Sequence, residues 1–509
     1  MERQTKVHNI VEYIKQNYLY VFGVYFCFFV IYGMWSFQDF VSFDAEGLYS
    51  ASNALAWYQQ WIGLGRWALV FLKKIFGVWV INPFFSIVIF CVGFPLSVIL
   101  WNAVFEKWNK GHLKGILVFD LLYLTHPIWA YQFAYRNQIE VITMIMCLFP
   151  ICINVLCEWL EDNLWYKGLI ALVGIVFCFA GYQSFLILYV ESILVYFFLK
   201  IMNQEIDKKV FYQRLIRVIV FSIVAFGVYK LSCEISCLIC NVSSEEYASY
   251  LSNQIPWLQG NLFGCIHATL SNLKRVFLGG DYSYSCIYFI ELIVAIFLYI
   301  KYIHPKTQWN IWLGTIILLL FVIPLSLNIV TAGASVIRQE FALVYAIAVI
   351  GMYEIERIWA PNRIKQILCI LLVSAFLINQ VQLLERLFYS DYKVMKSDYD
   401  KMQEIYQSAK ELGASYNTSI VFVGGQDFYS NDESIIRNEV IGFSYFLAVT
   451  IAPNKLPQAM QAYGFPVCSA NEEQRQRAYD IASDLSIWPN ENSIYVEDGL
   501  IVVRLGDIQ

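Results

Sequence analysis

Asn82-Pro-Phe-Phe-Ser-Ile-Val-Ile-Phe-Cys-Val-Gly-Phe-Pro-Leu-Ser-Val-Ile-Leu-Trp-Asn-Ala-Val-Phe105 contains no charged residue. A helix rises 1.5 Å per residue, so this stretch is long enough to cross a hydrocarbon core of about 30 Å. Working outward with the same rule gives about eleven spans. They lie near 17–36, 82–105, 115–133, 139–157, 168–181, 184–200, 216–238, 285–301, 309–329, 341–355 and 365–381. The fifth and sixth turn tightly at Gly181-Tyr182-Gln183, and the tenth is short enough to be tilted or partly re-entrant. The first apolar run continues without a small-residue cleavage site, so it is expected to stay as a span.

Composition agrees. Of the 509 residues, 59% are hydrophobic and 15% charged, against roughly 45–50% and ~25% in ordinary globular chains. Mean hydropathy is +0.54. A secreted disulfide scaffold, a nucleic-acid binder and a disordered regulator are excluded, and a net charge of −5 offers nothing to a polyanion. Most of the thirteen cysteines sit in apolar runs and read as small hydrophobes. Cys233, Cys237 and Cys240 share one helix face, which points to packing, since they lack the spacing and the fourth ligand of a zinc site.

Lys and Arg in the short loops set orientation. With the N-terminus inside, seventeen fall in cytoplasmic segments. Seven fall outside: Arg66, Lys73, Lys74, Arg136, Lys274, Arg275 and Arg338. An odd number of spans then puts the C-terminus outside. Beyond residue 385 the chain turns polar. Asp391 to Ala414 reads as helix, Ser419–Val423 as a buried strand, and Ser493–Arg504 as a hairpin turning at Glu497-Asp498-Gly499. The fold class is therefore mainly α. A polytopic transmembrane helical bundle over 1–385 carries a small extracytoplasmic α/β domain over 386–509. Gly424-Gly425 lacks the lysine of a phosphate loop, so nucleotide binding is not expected.

The chemistry gathers in the first outer loop, Asp39 to Trp79. Asp44 and Glu46 lie two residues apart, and Asp44 stands where it would cap a helix over 45–61. A carboxylate held by backbone amides stays ionised, as a general base must; the plainer reading is a pair of solvated loop charges. Arg66, Lys73 and Lys74 fall at i, i+7 and i+8, a basic stripe beside a Trp-rich apolar face. That is the pattern of a helix lying among lipid headgroups, with Arg66 able to grip a phosphate bidentately. Tyr131–Glu140, Gly181–Ser184 and Ala334–Glu340 add polar groups at the same membrane face. Within spans, Lys230 and Glu234 are spaced to neutralise each other. Asp120, Glu191 and Glu291 read as buried structural acids, or as proton sites of a transporter. The five histidines (His8, His112, His126, His267, His304) have no ligand spacing.

These residues resemble the bacterial membrane glucosyltransferases of the Gtr type II group, in the GT-C class. The likeness rests on Asp44 and Glu46, then Gly65-Arg66, then Gln132, Phe133, Gln138 and Glu140. Tyr182-Gln183 and Arg338 complete it. It covers most of 20–350. It implies a GT-C-like helical core in the bacterial cytoplasmic membrane, with its active site facing away from the cytoplasm. It implies transfer of a hexose, glucose the expected one, from a polyprenyl-phosphate-linked sugar to a lipid-linked or wall glycan of O-antigen or teichoic-acid type, by one inverting displacement. Asp44 or Glu46 would be the base. Arg66, Lys73, Lys74, Arg136, Gln138, Glu140, Tyr182, Gln183 and Arg338 would bind substrate. No cofactor is firmly implied; a divalent ion shared by Asp44 and Glu46 would need more oxygen ligands than the sequence shows. The bilayer, the lipid-linked sugar and the acceptor glycan are the partners, with no nucleic acid. The alternative is a lipid or glycan transporter, or a polymerase-like protein, using the intramembrane carboxylates.

Overall fold

The Asn82 side chain accepts a hydrogen bond from the Phe85 N–H at 3.1 Å, and Pro83 takes the first helical position. A capping acceptor followed by a residue with no N–H to satisfy starts a helix sharply, so the uncharged stretch begins where it must. The computed structural model describes residues 10–38, 40–77, 80–110, 113–243, 255–280, 285–303, 309–358, 363–428, 432–447 and 452–507. The loop limits Asp39 and Trp79, and His8, His112 and His304, lie outside the described residues.

In chain order the helices are α1 (Ile10–Gln16), α2 (Tyr18–Ser36), α3 (Ala51–Gly63), α4 (Trp67–Ile75), α5 (Pro83–Asn109), α6 (Ile116–Thr125), α7 (Ile128–Ala134), α8 (Ile139–Asp162), α9 (Trp165–Gly181) and α10 (Phe185–Met202). There follow α11 (Lys208–Cys240), α12 (Leu262–Leu278), α13 (Ile287–Leu298), α14 (Asn310–Val322), α15 (Ser326–Val330), α16 (Phe341–Ile358), α17 (Arg363–Glu411), α18 (Ala452–Ala462) and α19 (Glu472–Ala482). Each apolar stretch of the sequence contains helix. Among the described residues, seven helices are long and apolar enough to cross a membrane, while α6 and α9 are shorter apolar helices. The third stretch is broken rather than continuous. His126 is extended (ψ 129) because the following Pro127 disfavours the helical region for it, so the chain restarts as α7.

Two kinds of surface identify a membrane protein. The helix α11 exposes Ile216, Ile219, Val220, Ile223 and Leu231, and α17 exposes Ile367, Leu368, Leu371, Leu372 and Ile378. Apolar faces of that extent require lipid or another protein. Inside, α5 packs along α8, and Phe133 of α7 meets Phe90 and Phe94 of α5 with ring centroids 4.5 and 4.9 Å apart. Where lipid is as apolar as the core, such close packing is what holds helices together.

The change in composition at residue 385 falls inside one continuous helix, since α17 runs through 49 residues. Its far half buries Met395, Met402, Ile405 and Ala409. Beyond it lies a four-stranded sheet of order β2-β1-β4-β3, formed by β1 (Thr418–Val423), β2 (Val467–Ser469), β3 (Ile494–Glu497) and β4 (Leu500–Arg504). The strand β1 runs parallel to both neighbours, with Ile420 opposite Ile501. Side chains alternate across a strand. Ile420 and Phe422 accordingly join the core shared with α17 and α18, while Val421 and Val423 join Ala478 and Ala482 of α19. Strands β3 and β4 are antiparallel, pairing Glu497 with Leu500. The two residues between, Asp498 and Gly499, both have positive φ (49° and 73°), as a two-residue hairpin loop prefers.

Candidate active site

The loop that follows α2 is shaped by a tight turn. The Ala45 N–H donates to the Ser42 carbonyl at 2.9 Å, and Asp44 has φ 68°, a left-handed conformation that Asp tolerates better than most side chains. This differs from the helix expected over 45–61. A short 3-10 turn, Glu46–Leu48, comes first and α3 starts only at Ala51, so Asp44 is not its cap. Packing explains the difference: a Cβ on Gly47 would lie 2.0 Å from the Trp57 indole nitrogen, so α3 closes directly over the turn. Arg136 pins the loop from below. Its guanidinium donates to the carbonyls of Gln38 (2.8 Å) and Trp35 (3.1 Å) and lies over the Phe40 ring at 4.0 Å. Asn137 donates to the Asp44 carbonyl at 3.2 Å.

The C-terminal segment supplies the other wall. The Lys455 ammonium of α18 donates to Asp44 Oδ1, lies 3.4 Å from Glu46 Oε1, and sits 4.0 Å from the centre of the Phe43 ring. The Tyr445 hydroxyl is 3.0 Å from Glu46 Oε2, and the Tyr463 hydroxyl accepts from the Val41 N–H at 3.0 Å. Tyr445 is itself fixed by Asp398 of α17, which accepts from the Tyr445 N–H and the Ser444 hydroxyl, both at 2.8 Å. The two acids differ in access: the Glu46 side chain is 1% exposed and that of Asp44 20%. Burial pushes the Glu46 carboxyl above the usual carboxylate range; the Lys455 charge pulls it back in part and the Asp44 charge adds to the rise. Lys455 Nζ holds the place between the acids that a shared divalent ion would take, and among the described residues no three metal-ligating side chains come together.

Arg338 reaches the same group. It donates to the Tyr135 hydroxyl, lies over the Tyr135 ring at 4.0 Å, and is within electrostatic range of Tyr182, Glu439 and Asp44. Arg66 lies over the Tyr182 ring, 4.7 Å from its centre, with its Nε donating to Gln183 Oε1 at 2.9 Å. Gly65 delivers it there: its φ is +79°, and a Cβ would meet the Tyr229 hydroxyl at 2.8 Å. Asp44 and Tyr182 are thus both within electrostatic range of Arg338, and Arg66 and Gln183 attach to the Tyr182 end of that set. The basic stripe does not survive as one surface. Arg66 stands just before α4, Lys73 is fully buried against Glu140, and only Lys74 is exposed. Gln138 is buried at the start of α8.

The sequence model of glucosyl transferase GtrII matches residues 33–355. The chain belongs to the GtrII glucosyl transferase family. Comparison with curated proteins and with solved structures gave no match. The GtrII match takes in every candidate site residue chosen from the sequence, from Asp44 to Arg338. Lys455, Tyr445 and Glu439 lie beyond it, and sequence reasoning missed all three. No motif marks them; the only available signal was that a polar domain following the last span has to dock somewhere.

Other acids of this GtrII member, Asp120, Glu191 and Glu291, are buried on the apolar helices α6, α10 and α13. Asp120 accepts from the Tyr20 hydroxyl and from Asn102 Nδ2 at 2.8 Å. Among the described residues neither carboxylate oxygen of Glu191 or Glu291 has a hydrogen-bond partner. Lys230 and Glu234 are both exposed on α11, with Lys230 lying over Phe226 and no ion pair between them. Cys233 and Cys237 pack their sulfurs on the carbonyls of Gly65 (3.7 Å) and Ile62 (3.8 Å), which is the packing role their spacing suggested.

Proposed function

We propose that this membrane glucosyl transferase moves glucose from a polyprenyl-phosphate sugar to an envelope glycan on the side of the membrane away from the cytoplasm. Its catalysis is of GT-C type with single inversion, and Asp44 is the general base. The observation that carries the reading is the asymmetry of the acid pair. Glu46 is buried and engaged by Tyr445 and Lys455, while Asp44 keeps access and shares that cation. An accessible carboxylate suits proton abstraction; a buried one suits positioning. The acceptor oxygen attacks the anomeric carbon, Asp44 takes its proton, and the carbon–oxygen bond to phosphate breaks. The electron pair leaves with the lipid phosphate. Lys455 and Arg338, both within range of Asp44, are the cations placed to receive that charge. Fixed donors aimed at developing charge are usually the largest single catalytic contribution.

The test uses the purified chain in proteoliposomes with polyprenyl-phosphate [14C]glucose and envelope glycan from the native host. Label passing from lipid to glycan is expected, only from donor and acceptor presented in the leaflet that loop 40–50 faces. Label that stays on lipid, or that is supplied directly by a nucleotide sugar, rejects the donor assignment.

Lys455 gives a second expectation. In Lys455→Met the cation that lowers the Glu46 pKa is lost, so Glu46 takes up its proton at higher pH than in wild type, and the loss of activity that follows from losing its positioning role on the acid side begins at higher pH. Transfer itself should fall about 10²-fold. Transfer in Lys455→Met close to that of wild type would remove Lys455 from the chemistry.

A transporter reading draws its support from the unpaired Glu191 and Glu291 carboxyls in the bundle. A flux of lipid-linked glycan that follows the proton gradient and stops in Glu191→Gln would favour it.

A further inference from the structure

Buried polar atoms are nearly always paired, and each one that is not needs an explanation. Among the described residues, the Tyr182 hydroxyl and Glu439 Oε2 are two such atoms on residues within electrostatic range of Arg338, and Asn137 Oδ1 is a third on a residue bonded to the Asp44 backbone. Tyr182 is 1% exposed and Asn137 2%. Both are held in place by their other contacts. The Tyr182 ring stacks on Phe341 with centroids 6.0 Å apart and lies under Arg66, and the Asn137 amide nitrogen donates to the Asp44 carbonyl. Glu439 comes from the C-terminal segment. Its Oε1 accepts from the Ile337 N–H, at the start of the short turn that presents Arg338. Its own backbone is left-handed (φ 50°), and its second oxygen is left over.

The chemistry of the set is specific. An amide oxygen and a carboxylate oxygen accept, and a phenol donates or accepts; the phenol and the carboxylate lie within electrostatic range of the Arg338 guanidinium, and the amide is tied to the backbone of Asp44, which is also within that range. A row of hydroxyls beside a phosphate would satisfy them together. We propose that Glu439, Tyr182 and Asn137 form the hexose-recognition subsite of the donor. Their free atoms would pair with ring hydroxyls of the sugar while Arg338 lies towards its phosphate. This rests on the proposed donor, and it assigns sugar selectivity to a residue, Glu439, outside the part of the chain that defines the family.

The experiment measures binding to the full chain in lipid nanodiscs, so that no turnover is needed. The probes are a short-chain (C10) isoprenyl phosphate glucoside, its 2-, 3-, 4- and 6-deoxy forms, and the bare isoprenyl phosphate. A site built to hydrogen-bond a hydroxyl rejects the analogue that lacks it. Wild type is therefore expected to bind at least one deoxy form about tenfold or more weakly than the glucoside. Glu439→Gln should close most of that gap, Tyr182→Phe should close it for a different hydroxyl, and neither should alter affinity for the bare phosphate. The proposal is overturned if wild type binds all deoxy forms like the glucoside. It is equally overturned if the variants weaken every probe, bare phosphate included, by one common factor. Transfer assays on the same proteins keep the two readings apart: selective binding without transfer sinks the transferase chemistry and leaves the subsite standing, and transfer with unaltered selectivity in both variants does the reverse.

Discussion

Asp44→Asn is expected to lower glucosyl transfer by about 10²–10⁴-fold, the range a positioned general base contributes, with donor affinity close to that of wild type. The substitution keeps the shape of the side chain and can keep the contact to Lys455, so the turn from Ser42 to Ala45 should persist. What it removes is the ability to take a proton. Glu46→Gln should cost less, because its amide oxygen can still face Lys455 while its NH2 donates to the Tyr445 hydroxyl, and the loop is held. The measurement is kcat and donor KM for both variants in proteoliposomes, with folding checked by size-exclusion chromatography. Near-normal kcat in Asp44→Asn together with collapse in Glu46→Gln would exchange the two roles, and activity in both would remove the pair from catalysis.

The second large effect concerns stability. Lys73 and Glu140 form an ion pair with side chains 0% and 1% exposed, linking α4 to the start of α8. Breaking such a pair by removing one partner typically costs about 3–5 kcal/mol, because the remaining charge is stranded, whereas replacing both with apolar groups is often neutral. Lys73→Met and Glu140→Met should each lower the thermal midpoint of the solubilised protein clearly, and the double variant should recover much of the loss. Single variants melting like wild type would show that the pair carries no such role. If Lys73→Met instead raised donor KM with an unchanged midpoint, Lys73 would return to the phosphate-binding set chosen from the sequence.

The difference between those two lysine readings shows where sequence reasoning stops. Spacing of i and i+7 placed Arg66 and Lys73 on one face of a helix, and both do turn away from the exposed side on which Lys74 lies. Periodicity could not say that an acid, Glu140, would wait beneath one of them and a glutamine, Gln183, beside the other. Asp44 and Glu46 were legible as a pair because acids two residues apart in a loop between apolar spans are chemically conspicuous. Their unequal exposure was not, since it depends on α3 folding back through Gly47 and on Tyr445 arriving from nearly four hundred residues away.

By itself the sequence determined the helical stretches, the membrane setting, the strand at 419–423 and the hairpin at 493–504, and the family residues from 33 to 355. All of these follow from local composition and short-range periodicity, which need no knowledge of what lies opposite. Only the tertiary structure decided that α17 continues without a break into the polar region, that the sheet side of the molecule closes over the first loop, and that Lys455 and Glu439 meet Asp44 and Arg338. Contacts between distant segments are fixed by shape and by the cost of leaving buried charges and polar atoms unpaired, and neither is written in the order of residues along one stretch of chain.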